Sequence, residues 1–177
     1  MFGYFLLYNC INKKEEVCHR TNNNIEMKKI LFLDIDGVLN TEQQQWKCQM
    51  EGIPPADKFG YTFDPKAVSY LGEILNITGA EIVLSSSWKF LGMSVLQDMW
   101  QARRLPGTIT DITPDNQEGK GLKIKEWLEK CQNEVDNYVI LDDENIALPE
   151  QQVHFVKCNP QFGVNKKVME AVLRVLG

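Results

Sequence analysis

Ile30-Leu31-Phe32-Leu33-Asp34-Ile35-Asp36-Gly37 decides how the rest of the chain is read. Four apolar residues in a row, followed by two acids and a glycine, describe a buried strand stopped by a turn. The pattern recurs twice downstream, in Ile82-Val83-Leu84 before Ser85-Ser86-Ser87 and in Tyr138-Val139-Ile140-Leu141 before Asp142-Asp143. Thr108-Ile109-Thr110 and Val153-His154-Phe155-Val156 are weaker strand candidates, the second with alternating apolar positions.

Helical patterns separate these runs. Asp64-Pro65 reads as an N-cap with proline at the first helical position, Val68, Leu71 and Leu75 share a face, and Gly79 is the stop. Leu122 or Ile124 with Trp127, Leu128 and Cys131 form a second stripe; Val168, Ala171, Val172 and Val175 form a third, opened by Asn165. Residues 93–104 hold a fourth, built on Val95, Leu96, Met99 and Trp100. Strand and helix in alternation predict an α/β fold, a doubly wound, mainly parallel sheet with flanking helices. In such sheets ligands bind beyond the carboxyl ends of the strands. Asp34, Ser85 and Asp142 all stand where a strand should end.

The 177 residues suit one domain, and a 44% hydrophobic, 24% charged composition is that of an ordinary globular chain. A net charge of -5 offers no general attraction for nucleic acid or anionic membrane. No stretch reaches the roughly 18 to 20 apolar residues of a membrane span. The five cysteines, an odd number without a C-x-x-C pair or a zinc-like spacing to His19 and His154, fit free thiols in a cytoplasmic protein. Polar residues 13–26, with Asn22-Asn23-Asn24 among them, mark residues 1–26 as a loosely attached extension to a single domain over 27–177. Residues 41–64, 24 in number (64 − 41 + 1), leave room for a flap and not for a separate cap domain. Trp46, Phe59, Tyr61 and Phe63 are its aromatics, able to line a site or to anchor the flap.

The strand-end residues carry phosphoryl chemistry. Asp34 and Asp36, aimed at one pocket by a turn that Gly37 completes, can divide into an ionised nucleophile and a proton carrier. Ser85, with Ser86 as an alternative, can hold a phosphoryl oxygen together with backbone N–H groups. Lys120, with Lys123 as second choice, can neutralise carboxylate and phosphoryl group alike. Gly37, Ser85, Ser86 and Lys120 are thus the expected substrate contacts. Two adjacent acids at a strand end call for a cation, and Mg²⁺ is the hard, oxygen-seeking ion of phosphate chemistry, held by Asp142 or Asp143. Trp88 either covers this site or packs beside it. Core packing is expected of Trp100 and Trp127.

Leu33-Asp34-Ile35-Asp36-Gly37-Val38-Leu39-Asn40, Val83-Leu84-Ser85, Lys120 and Ile140-Leu141-Asp142-Asp143 resemble, in this order, the four motifs of the haloacid dehalogenase (HAD) superfamily. The resemblance implies that Asp34 attacks phosphorus while Asp36 protonates the leaving group and later activates water. It also implies that Asp34, the Asp36 main-chain carbonyl and Asp142 or Asp143 hold Mg²⁺. An acid at position 36 is similar to the phosphatase and phosphotransferase branches. More narrowly, Ser85-Ser86-Ser87-Trp88, Trp127-Leu128, Asp142-Asp143 and Asn159-Pro160 with Gly163-Val164 resemble a small-capped branch linked to RNA-repair proteins, although Lys120 stands where that branch more often has arginine. The implied partner is a phosphorylated substrate, a small molecule or a polynucleotide end, with no membrane. The competing reading is a phosphate-binding or phospho-acceptor signalling module without turnover. A receiver domain has its acid pair after the first strand and its lysine after the fifth; here the adjacent acids come last and the lysine precedes them.

Overall fold

A computed structural model describes residues 27–116, 118–131 and 134–177. The extension expected over residues 1–26 lies outside the described residues, as do Cys10 and Cys18. In chain order the strands are β1 (Lys28–Leu33), β2 (Ala56–Asp57), β3 (Gly60–Tyr61), β4 (Glu81–Leu84), β5 (Ile109–Ile112), β6 (Val135–Asp142) and β7 (Phe155–Lys157). The helices are α1 (Glu42–Glu51), α2 (Pro65–Thr78), α3 (Met93–Ala102), α4 (Lys120–Cys131) and α5 (Lys166–Leu176).

Five strands make one sheet in the order β5-β4-β1-β6-β7, every neighbouring pair parallel. The remaining two, β2 and β3, form an antiparallel hairpin. Counting the sheet strands alone, the order is 3-2-1-4-5, the doubly wound arrangement, whereas flavodoxin-like and receiver sheets run 2-1-3-4-5. The chain reverses its direction of growth between β1 and β6, and their carboxyl ends flank the crevice where such folds take ligands.

Helices cover both faces, which is why the central strands read as unbroken apolar runs instead of alternating ones. Leu31, Leu33, Ile82, Leu84, Val139 and Leu141 point into a core with Leu71 and Ile74 of α2, Met99 and Trp100 of α3 and Val168 and Val172 of α5. Ile30, Phe32, Val83 and Ile140 meet Ile124 and Trp127 of α4 on the opposite face. There Phe32 takes the Trp127 ring edge-on, with centroids 5.3 Å apart. Trp100 and Trp127 therefore do pack in the core, each also spending its indole N–H, on the Pro106 carbonyl and on Asp111 respectively.

The expected helix signals act as caps. Asp64 accepts from the Lys66 N–H ahead of Pro65, Gly79 closes α2 in the left-handed region, and Asn165 accepts from the N–H groups of Lys167 and Val168. The α2 stripe is rotated slightly from expectation: Ala67, Leu71 and Ile74 are buried, while Val68 and Leu75 are only half covered. The strand expected over residues 153–156 is corrected. Residues 149–154 wind into a 3-10 helix opened by Pro149, Val153 is left exposed, and β7 begins at Phe155. The fourth helix ends at Ala102, short of the expected 104.

Residues 41–64 hold α1 and the β2–β3 hairpin. Their two ends meet, since the Thr41 hydroxyl donates to Asp64 at 3.0 Å and the Asp64 N–H donates to the Leu39 carbonyl at 2.7 Å. The insertion therefore leaves and re-enters the fold at one point, above the end of β1. Phe63 is buried beneath it, Phe59 packs on the core edge, and Trp46 and Tyr61 are exposed. The aromatics thus divide between anchoring and lining.

The turn at 159–163 braces this entrance. Val164 N–H donates to the Val38 carbonyl at 2.9 Å, and the N–H groups of Glu42 and Gln43 donate to Pro160 and Gln161. Gly163, at φ +54°, has no room for a Cβ, which would run into the Val38 carbonyl and the Thr41 methyl. Gly163→Ala should therefore cost about 1–3 kcal/mol of stability from backbone strain and crowding together. Urea unfolding followed by circular dichroism measures it.

Candidate active site

The parallel ladder runs on past the strand ends and sets the first residues of the site side by side. Asp34 N–H donates to the Leu141 carbonyl at 3.0 Å, and Ser85 N–H to the Leu33 carbonyl at 2.9 Å. Asp34 is thus held between Ser85 on one neighbouring strand end and Asp142 on the other, all three buried. Beyond Asp34 the chain turns sharply. The N–H groups of Val38, Leu39 and Asn40 all converge on the Ile35 carbonyl, with Gly37 at φ +69°. Only a glycine suits that place for a second reason: a Cβ at 37 would occupy the space of the Asp143 carboxylate.

Lys120, the first residue of α4, reaches back across the end of the sheet. Its ammonium donates to Asp34 Oδ2 at 2.5 Å and to Asp142 Oδ2 at 2.9 Å. Gly121 lets it do so, since a side chain there would strike the Ile146 carbonyl, and the Gly121 carbonyl is itself held by Gln151 Nε2 at 2.9 Å. Lys123 does not join the acids. It faces Lys89, whose ammonium binds the Thr113 and Pro114 carbonyls and which burial and the Lys123 charge hold below the usual lysine range.

The electrostatics of the pocket are those of crowded acids. Burial, then the Asp34 charge, pushes Asp142 up to about 6, despite the Glu144 N–H and Lys120 that favour its ionised form. Asp143 is raised for the same two reasons. Burial pulls Lys120 down, but Asp34 and Asp142 outweigh it and carry the ammonium to about 12. Carboxylate oxygens of Asp34, Asp142 and Asp143 lie within 4.8 Å of one another. Such a set of hard oxygen donors fits a divalent cation, whose charge would meet the repulsion that the raised acids express.

Asp36 stands apart from that cluster. Its carboxylate is exposed, taking Asn40 Nδ2 on Oδ1 at 2.8 Å and Trp88 Nε1 on Oδ2 at 3.0 Å. The Asp36 side chain is therefore not part of the acid cluster that suits a cation. Ser85 Oγ is buried and has no hydrogen-bond partner among the described residues, whereas Ser86 Oγ is engaged in capping the next turn by accepting from Trp88 N–H. An orphaned hydroxyl beside Asp34 is a group set to receive a ligand oxygen. A cleft of about 380 Å³ opens at Asp36, lined by Gly37, Asn40, Gln45, Tyr61, Trp88 and Pro160. Sequence reasoning missed Asn40 and Gly121 as parts of this arrangement and left the role of Trp88 undecided. Asn40 did stand within the quoted motif.

The doubly wound sheet thus gathers its acids, hydroxyl and ammonium at the switch point. Residues 30–169 match the family model described as the HAD domain in Swiss Army Knife RNA repair proteins, and the chain belongs to that family. Among solved structures it is similar to a haloacid dehalogenase-like family hydrolase from Streptococcus pneumoniae, at 13% identity over 82% of this chain and 90% of that one, with a TM-score of 0.46. The comparison with curated proteins finds no match. Among the described residues no helix is long and apolar enough to cross a membrane.

Lys120→Met tests the charge balance in the cation-free protein. It leaves Asp34 and Asp142 facing each other uncompensated, a loss of about 1–3 kcal/mol for a partly screened pair. Because Asp142 already sits near 6, above its unfolded value, its ionised form opposes folding, and the variant enlarges that opposition. The deficit should be full at high pH and shrink as the pH falls towards about 6, because Asp142 without Lys120 protonates above the wild-type value and so sheds the repulsion. Urea unfolding of both proteins across that range measures it.

Proposed function

We propose that this chain is a Mg²⁺-dependent phosphomonoester hydrolase working through an aspartyl-phosphate on Asp34. The observation that carries the reading is the pairing of Lys120 with Asp34 and Asp142 beside a buried Ser85 hydroxyl that lacks a partner among the described residues. A buried anion held by an ammonium, next to an unspent donor, suits a nucleophile with a phosphoryl cradle around it. The 3-2-1-4-5 strand order favours this reading over a phospho-acceptor receiver.

In the reaction, one Asp34 carboxylate oxygen attacks phosphorus as the ester P–O bond breaks, and Asp36 gives its proton to the departing oxygen. Lys120 and the Ser85 hydroxyl bind the phosphoryl oxygens during transfer. Asp36, now ionised, takes a proton from the water that attacks phosphorus of the phospho-aspartate, and Asp34 and phosphate are released. Mg²⁺ bound by Asp34, Asp142 or Asp143 and the Asp36 main-chain carbonyl would supply charge neutralisation and orientation for the phosphoryl group.

The substrate class follows from the entrance and the family. The insertion over residues 41–64 is a helix and a hairpin, leaving an open cleft lined by Tyr61 and Trp88. The family takes its description from RNA repair proteins. Both support a bulky phosphoester, a phosphorylated polynucleotide end ahead of a phosphorylated small molecule.

With Mg²⁺ the protein should release phosphate from a panel containing p-nitrophenyl phosphate and 5′- and 3′-phosphorylated oligonucleotides, and EDTA should abolish release. No phosphate from any of them would sink the proposal. Asp34→Asn should show no turnover above background with the fold intact by circular dichroism, and Asp36→Ala should lose roughly 10²–10⁴-fold. A readout independent of turnover is thermal unfolding. Saturating Mg²⁺ should stabilise the wild type, by about 2.7 kcal/mol at a hundredfold excess over its Kd, and should leave Asp142→Asn nearly unmoved.

A further inference from the structure

The Asp36 carboxylate is gripped from two directions. Asn40 Nδ2 donates to one oxygen at 2.8 Å from within the same turn, and its own Oδ1 is fixed by Gln45 Nε2 at 2.9 Å. Trp88 Nε1 donates to the other oxygen at 3.0 Å, from the segment after β4. A carboxylate offers about four lone-pair directions, so two neutral donors orient it and still leave sites for a proton to arrive or depart. This is an arrangement for holding a proton carrier in place without quenching it.

The indole is in turn held by the hairpin. Trp88 is 7% exposed, with the Phe63 ring edge-on at 5.7 Å and the Arg103 guanidinium over it at 5.8 Å. Gly60 of β3 lies so close that a Cβ there would come within 3.0 Å of the indole ring. Arg103, which follows α3, donates to both oxygens of Asp57 at 3.0 and 2.7 Å and to the Gly60 carbonyl at 3.1 Å. That pairing holds the Asp57 carboxyl below the usual range, first through the Arg103 hydrogen bonds. One guanidinium thus clamps the hairpin and lies over the indole on which the hairpin rests.

We propose that Trp88 is a positioning residue that aims the Asp36 carboxyl for proton transfer, and that the Arg103-clamped hairpin sets the position of Trp88. The inference rests on the phosphatase reading above and assigns that site a link between the flap and its acid/base group. Burial of the ring does not require the N–H to point at Asp36. The core tryptophans Trp100 and Trp127 direct their N–H groups to Pro106 and Asp111, neither of which lines the cleft, whereas Trp88 directs its own to an acid that does.

The test compares Trp88→Phe, which keeps an aromatic ring against Phe63 and Gly60 but removes the N–H, on two substrates. An alkyl phosphate needs its leaving oxygen protonated; p-nitrophenyl phosphate, with a stable leaving anion, does not. Because kcat/KM reports steps through loss of the leaving group, it should fall about tenfold for the alkyl phosphate and less than about twofold for the aryl one. In an Asp36→Ala background Trp88→Phe should have no further effect on either substrate. Arg103→Lys, which keeps the indole and the positive charge but breaks the fork to Asp57 and so loosens the seat of the indole, should produce the same split to a smaller degree. Equal losses on both substrates, or none, in both variants would overturn the proposal by reducing Trp88 to packing. A wild-type protein inactive on both would overturn the phosphatase reading itself, and the positioning role with it.

Discussion

The Lys120 ammonium, bonded at once to Asp34 and Asp142, is the interaction on which this structure turns. The sheet order presses three acids into one pocket at the ends of β1 and β6, where burial and then the Asp34 charge raise the proton affinity of Asp142 and Asp143. One cation from α4 balances part of that charge and a hard divalent ion suits the remainder. The glycines nearby follow from the same crowding: Gly37 clears space for Asp143, and Gly121 lets the start of α4 approach the loop that carries Ile146.

Around this centre the fold separates two kinds of carboxylate. Asp34, Asp142 and Asp143 are drawn together by strand ends, whereas Asp36, two residues beyond Asp34, is turned out by the Gly37 turn towards the cleft. Its partners are neutral donors, Asn40 and Trp88, not an ammonium. Two acids close in sequence thereby acquire different surroundings and, on the proposed reading, different tasks. The small insertion over residues 41–64 reaches the outer acid through the Trp88 indole, so the insertion and Asp36 share a support.

Much of the fold was legible because its signals are local. Unbroken apolar runs that end in polar residues mark strands buried on both faces, and Asp64-Pro65, Gly79 and Asn165 act where they stand, as caps. The failure at residues 153–156 has an equally local cause: the short apolar alternation was outweighed by a 3-10 turn opened at Pro149, which a period-of-two pattern does not reveal. The acids, Ser85 and Lys120 could be picked out because each sits at the end of an element whose direction was already known.

What the sequence determined by itself is the α/β alternation, the identity of the strand-end residues and their order, all of which depend on neighbours within a few positions. Which lysine meets the acids, which serine keeps a free hydroxyl, and where Asp36 points were decided only by the tertiary structure. Lys120 and Lys123 are equivalent in the sequence, but one helical turn separates a side chain that reaches Asp34 from one that faces Lys89. Trp88 and Asp36 are 52 residues apart, and no pattern along the chain encodes a hydrogen bond between them. That contact exists because β1 and β4 pair in parallel and bring their carboxyl ends together, and Arg103, Gly60 and Phe63 then leave the indole one orientation in which to lie.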